Sequence, residues 1–205
     1  MVVYYTGKRL PDVLLAGSRQ AETIRSTRGD YFGYNNHMKK PVSKTAPKPP
    51  KPVHTRPGWD EYFINIAKAV SARATCFRRR YGAVVTKDNV IVSTGYNGAP
   101  SGMRDCLEEG VCTRKELKIP HGERYELCHS VHAEANAIIR ASADELKGAT
   151  IYISGADAGA GECLSEPCMM CKRMILNAGI AKVVHSDGGG SFHVINPKDW
   201  LKTRV

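Results

Sequence analysis

The sequence predicts an α/β fold: a three-layer α-β-α sandwich built on a mixed sheet, with an antiparallel hairpin first and parallel strands after it. Three observations carry this. Apolar residues 59, 63, 66, 67 and 70 of "GWDEYFINIAKAVSARA" recur at helical spacing. The segment "YGAVVTKDNVIVSTGYN" holds two β-branched runs parted by a polar turn, which is a hairpin pattern. Beyond residue 132, helical and β-branched segments alternate, and that order implies a mostly parallel sheet with helices on both faces.

The elements follow in chain order. Residues 1–57 read as a basic arm and linker, and 58–205 as the folded domain. The chain carries a net charge of +10, but residues 1–55 hold ten Lys and Arg against only three acids. The domain itself is thus close to neutral; the basic balance belongs mainly to the arm and says little about a nucleic-acid-binding core. Residues 9–27 read as a short helix. Residues 40–57 contain six prolines and read as an extended linker. The opening "MVVYYTGKRLPDVLLAGSRQ" lacks the basic-then-apolar order of a secretory signal, so an intracellular, cytoplasmic protein is expected; an organellar presequence is the alternative that a basic, acid-poor arm allows. No run of 18 apolar residues is present, so no membrane-spanning helix is expected.

Within the domain the pattern predicts a helix over 59–74, strands over 82–86 and 90–94 joined at Lys87-Asp88-Asn89, and a long loop over 95–129. Then come a helix over 132–143, a strand over 149–154, a Gly-rich loop over 155–166, a helix over 168–178 and a strand over 180–185.

The chemistry lies in "CHSVHAEANAII" and "SEPCMMCKRMI". His132 and Glu134 open one predicted helix, and Cys168 and Cys171 open another. Alone, a His-x-Glu says almost nothing, and a Cys-x-x-Cys could be a redox pair or half of a structural zinc site. Together they form H-x-E…P-C-x-x-C, a zinc deaminase signature. One imidazole and two thiolates leave a fourth tetrahedral position for water, the arrangement of a catalytic zinc. His132, Cys168 and Cys171 are therefore the expected Zn²⁺ ligands. Glu134 is the expected proton shuttle, moving a proton from an activated water to a ring nitrogen and then to departing ammonia.

With these motifs, "TGYNGAPSGMRDC", "HAEANAI" and "PCMMC" in this order resemble the deoxycytidylate (dCMP) deaminase family of the cytidine deaminase superfamily, from about Trp59 to Val184. "CFRRRYGAVV" resembles the entry to that family's first strand. The resemblance implies hydrolysis of dCMP to dUMP and ammonia, the supply of a dTMP precursor, and a homo-oligomer, a hexamer in many relatives. It also implies regulation by dCTP and dTTP, and a substrate contact from Asn97 in "GYNGAP". An amide suits that contact because it both donates and accepts; the other reading of Asn97-Gly98 is a plain turn. His185 stands where relatives carry an aromatic, and neither the arm nor the tail from 185 matches the family.

Seven cysteines with no secretory signal point to metal and not to disulfides. Cys76, Cys106, Cys112 and Cys128 surround a loop of about 35 residues that is costly to order by its own contacts. A second, structural Zn²⁺ on these four thiols is expected, with His121 as a substitute ligand; some family members carry a second zinc in this region. Buried free cysteines are the plainer alternative. Three classes of function fit the sequence: a mononucleotide dCMP deaminase; a deaminase of another cytosine- or adenine-type substrate, nucleic acid included; and a deaminase-fold subunit docked through its arm. The first is favoured. A nucleic-acid enzyme calls for aromatic and basic residues around its pocket, and the loop offers Tyr96, Arg104, Arg114 and Arg124.

Overall fold

The computed structural model describes residues 55–120 and 122–203. The helix expected over 9–27, almost all of the proline-rich linker, and His121 lie outside them.

Strand β1, Arg79–Lys87, is the spine of the sheet, with residues 82–86 all buried. A central strand covered on both faces has this continuous apolar character. It turns back into β2, Val90–Tyr96, and Lys87 pairs with Val90. The connection is thus two residues, Asp88 and Asn89, both at positive φ (52° and 61°). That left-handed pair matches the twist of a tight hairpin, and Asp and Asn accept it more readily than most side chains.

Helix α1, Trp59–Ser71, precedes the hairpin; the short helices α2, Cys106–Glu109, and α3, Thr113–Glu116, follow it. The zinc-motif helix α4 covers Ala133–Ile139, and α5 covers Ala143–Leu146. Strand β3, Thr150–Asp157, turns back as β4, Gly161–Cys163; then come α6, Met169–Asn177, β5, Lys182–Ser186, and β6, Phe192–Ile195. A 3₁₀ helix, Pro197–Thr203, brings Trp200 into the core.

The sheet order is β2-β1-β3-β5-β6, with β4 beside β3. This corrects the expected mostly parallel sheet: only β3 and β5 run parallel, while β1 pairs antiparallel with both β2 and β3. The alternation of strands and helices was read soundly, but its spatial neighbours were not. The crossover from β2 through α4 does lead to a strand parallel to β2, yet β1 lies between the two. The tail also adds an antiparallel strand, β6, beside β5.

The three layers hold. Phe63, Ile64 and Ala67 of α1 pack on Val84, Tyr152 and Val184, while the alternate residues Ala83, Val85, Ile151, Ile153 and Val183 meet Ala133, Ala137 and Ile175 of α4 and α6 on the other face. Three local expectations need correction. The helix expected over 132–143 breaks at Arg140, because Ser142 and Glu145 form a capping box that starts α5 afresh. The loop over 95–129 contains α2, α3 and a 3₁₀ turn, Tyr125–Leu127; Asp105 and Glu108 cap α2 reciprocally. The Gly-rich loop over 155–166 is largely a hairpin, since β3 runs on to Asp157 and pairs with β4. Among the described residues no helix is long and apolar enough to cross a membrane.

Two glycines set the spacing of the layers. A Cβ on Gly82 would collide with the Ala67 carbonyl of α1, and one on Gly95 with the Ala133 carbonyl and Ala137 amide of α4. Gly95→Ala therefore forces α4 off β2. Both colliding atoms are backbone and cannot turn aside, so the loss should reach about 3 kcal/mol, the upper end for overpacking. A denaturant titration checks this; a midpoint within error of the parent would show that α4 has room to move.

Candidate metal centre and active site

The site forms where the first turns of α4 and α6 meet. His132 is the N-cap of α4, in extended geometry. The residue before it is clamped: Val131 and Gly98 exchange backbone hydrogen bonds of 3.2 and 2.9 Å. The helix behind it is tied to the sheet by Asn136, whose Nδ2 donates to the Tyr96 carbonyl at 2.8 Å, and by Ser93, whose Oγ donates to the Ala137 carbonyl at 2.8 Å. Cys168 is the N-cap of α6, after Pro167, and Cys171 lies in its first turn, fully buried.

His132 Nδ1 is 3.4 Å from Cys168 Sγ and 3.4 Å from Cys171 Sγ. All three ligand atoms lie within 4.8 Å of one another, the only such trio among the described residues. Zinc bonds of about 2.3 Å to sulfur and about 2.0 Å to nitrogen at a tetrahedral angle separate N from S by about 3.5 Å. The trio therefore fits Zn²⁺ in spacing and in donor type. The hydrogen bond from Cys171 and the nearby imidazole lower the Cys168 pKa to about 4 against the cost of burial. The Cys168 thiolate and burial raise that of Cys171. Burial works against a charged His132, but the Cys168 and Glu134 charges prevail and raise its pKa.

Glu134 is 6% exposed, and burial raises its pKa above the usual carboxylate value, against the pull of His132. It hydrogen-bonds the Cys171 thiol. A carboxyl so placed passes between acid and base nearer neutrality, which suits proton transfer.

The trio opens into a cavity of about 980 Å³ whose lining includes Arg78, Arg79, Asn97, Arg114, Arg124, Tyr125, Lys172 and Arg173. Several of these cations have internal partners: Arg79 with Asp157, Lys172 with Glu166 at 2.6 Å, and Arg114 with three carbonyls. Asn97 is held on both sides of its amide. Its Oδ1 accepts from the Tyr81 amide at 2.7 Å, and its Nδ2 donates to the Arg79 carbonyl at 2.9 Å. One lone pair and one N–H remain for a ligand.

Cys76, Cys106, Cys112 and Cys128 also line this cavity. Burial first, then the charges of the other three, raise the Cys106 pKa to about 11. The Arg78 amide donates to Cys76 Sγ at 3.4 Å. The four thiols are gathered around Cys106 but are spaced more widely than the His132 trio. His185 is buried on β5 with His193 across the strand pair, ring centres 5.2 Å apart. The motifs gave no signal for Asn136, Tyr125 or the Arg79–Asp157 pair; of these only Asn136 is readable, one helical turn beyond His132.

Residues 57–186 match the model of the cytidine and deoxycytidylate deaminase zinc-binding region. The deoxycytidylate deaminase of Mycobacterium phage D29 is 40% identical over 136 residues, covering 64% of this chain and 96% of that protein. The deoxycytidylate deaminase of Schizosaccharomyces pombe is 34% identical over 135 residues, and the chain spans only 38% of its length. A solved structure of the dCMP deaminase from cyanophage S-TIM5 aligns with 73% of this chain and 94% of its own, at 23% identity and a TM-score of 0.46.

Asn97→Ala would take the side-chain acceptor away from the Tyr81 amide. An unsatisfied donor costs about 1–3 kcal/mol, so thermal unfolding should show a loss of about 1–3 kcal/mol even without any ligand. Unchanged stability would show that water replaces the amide.

Proposed function

Because this chain belongs to the cytidine and deoxycytidylate deaminase zinc-binding family, matched over residues 57–186, we propose that it hydrolyses dCMP to dUMP and ammonia. The observation that carries the reading is the trio His132, Cys168 and Cys171 within 4.8 Å of one another, with the buried carboxyl of Glu134 beside it. The choice of dCMP rests on the phage and yeast relatives named for that activity. A cavity of about 980 Å³ with arginines and a lysine in its lining suits a mononucleotide phosphate.

Each residue has a part. His132, Cys168 and Cys171 would hold the ion, at the ends of two helices that the sheet fixes. Zn²⁺ there supplies a Lewis acid that brings the pKa of water from about 16 toward 7. Glu134 accepts the water proton, delivers it to the ring nitrogen beside the amine-bearing carbon, and later serves the leaving amine; its burial keeps that proton from bulk solvent. Asn97 uses the remaining half of its amide on the sugar or the base edge.

Of the five thiols outside the trio, four are read as a structural Zn²⁺ site, with Cys163 on β4 set aside. An ion bound by Cys76, Cys106, Cys112 and Cys128 would take their thiols as thiolates, offset the repulsion among those charges and pin the loop over 95–129. Residues 1–57 are read as an arm appended to the domain 58–205, consistent with α1 starting at Trp59. The protein is read as intracellular, and as a homo-oligomer that takes dCTP and dTTP as regulators, the last two as the resemblance implies.

Ammonia release from dCMP, set beside CMP, dCTP and cytosine-containing single strands, tests the substrate; activity on the strands and on no mononucleotide would overturn it. Glu134→Gln should keep its metal, because Glu134 is not a ligand, and lose about 10² to 10⁴-fold in turnover. Loss of metal in that variant would contradict the division of roles. Metal analysis should give two zinc per chain, falling to one in Cys106→Ser/Cys128→Ser while the His132 site stays loaded. One zinc in fully reduced wild-type protein would remove the second site.

A further inference from the structure

In the long loop, an arginine and a tyrosine form a chain of contacts that ends on His132. Arg114 on α3 is only 6% exposed. Its Nη1 donates to the carbonyls of Glu123 and Arg124, and its Nη2 donates to that of Pro120 at 2.8 Å. Its guanidinium lies over the Tyr125 ring, 4.9 Å from the centroid. That ring in turn meets the His132 imidazole edge-on, with centroids 5.0 Å apart and planes at 87°. The backbone here is not regular: Lys118 and Arg124 are both at positive φ (51° and 46°), conformations costly for residues with a Cβ. A planar fork that captures three converging carbonyls is what holds such a path, and only arginine has that fork.

We propose that Arg114 is a positioning residue for the metal centre: by gathering the carbonyls of Pro120, Glu123 and Arg124 it seats the Tyr125 ring against His132 and fixes the imidazole. The competing role, a phosphate ligand for the substrate, suits it poorly. Both Nη1 hydrogens are engaged, and one face of the guanidinium is on an aromatic ring. Groups that orient metal ligands from behind typically change metal affinity or activity 10 to 100-fold when removed.

The inference rests on reading His132, Cys168 and Cys171 as a deaminase zinc centre, so the test measures metal and turnover separately. Arg114→Lys, Arg114→Met, Tyr125→Phe and Tyr125→Leu are made in the full chain. Zinc transfer to a chromophoric chelator is followed in the metal fraction that Cys168→Ser abolishes, alongside the visible spectrum of Co²⁺-substituted protein and the kcat and KM for dCMP. Both Arg114 variants and Tyr125→Leu should release that zinc about 10 to 100-fold faster, shift the cobalt spectrum and lower kcat more than they raise KM. Tyr125→Phe, which keeps the ring, should match wild type. Arg114→Met/Tyr125→Leu should be no worse than the worse single change, since both break one chain of contacts. Wild-type metal release and cobalt spectrum in Arg114→Lys and Tyr125→Leu would overturn the proposal, and a rise in KM alone would assign Arg114 to the substrate. Should Arg114→Met fail to fold, those two variants still decide it. A wild-type protein that binds metal but leaves dCMP intact would refute the substrate reading and leave the chelator test of Arg114 in force.

Discussion

The close contact of α4 with β2 at Gly95 governs the site. Helix and strand backbones meet there with no side chain between them, since a Cβ would strike the Ala133 carbonyl and the Ala137 amide. The small residues of "HAEANAI" answer the same demand from the helix side: Ala133 and Ala137 are fully buried against the sheet. With the helix this close, Ser93 and Asn136 reach across with hydrogen bonds of 2.8 Å, and the Val131–Gly98 bridge fixes the approach to the first turn. His132 is thus aimed by the close helix–strand contact, two side-chain hydrogen bonds and a backbone bridge. Packing of this density leaves few alternative positions, which a site of three protein ligands needs if it is to keep its shape.

Depth then sets the electrostatics. Burial opposes charge on Glu134 and on Cys171, and the pKa of each is raised. The Cys168 thiolate is stabilised by its neighbours at the opening of α6. A divalent cation placed among these groups reverses the cost, because it rewards the thiolates that burial penalises. The apparent contradiction of acidic groups buried together therefore makes sense as a binding site.

Much of this was legible in the sequence, and for a physical reason. Periodicity exposed the helices and strands, and H-x-E with P-C-x-x-C named the trio, because metal chemistry admits few residue types at few spacings. What escaped was longer-range. The β1–β3 antiparallel pairing depends on which strand slips between two parallel ones, and no local pattern in Thr150–Asp157 records that β1 is its neighbour. The break in the zinc helix was missed because the apolar period runs through it, although Ser142 and Glu145 carry a readable capping box. The hairpin of β3 and β4 was hidden by its glycines, which read as loop while Gly155 pairs with Cys163 in the ladder.

Polar residues near the cavity divide in a way that composition conceals. Asn97 looks like a substrate contact in the sequence, being an amide in a motif loop, and Arg114 is one of several arginines in the long loop. Both spend most of their hydrogen bonds on backbone: Asn97 on Tyr81 and Arg79, Arg114 on Pro120, Glu123 and Arg124. The loop from 95 to 129 has little regular structure to satisfy its carbonyls, so side chains do it instead, as buried backbone groups require. Through Tyr125 that wall of the cavity meets His132, so the irregular loop packs directly against a residue of the candidate metal centre.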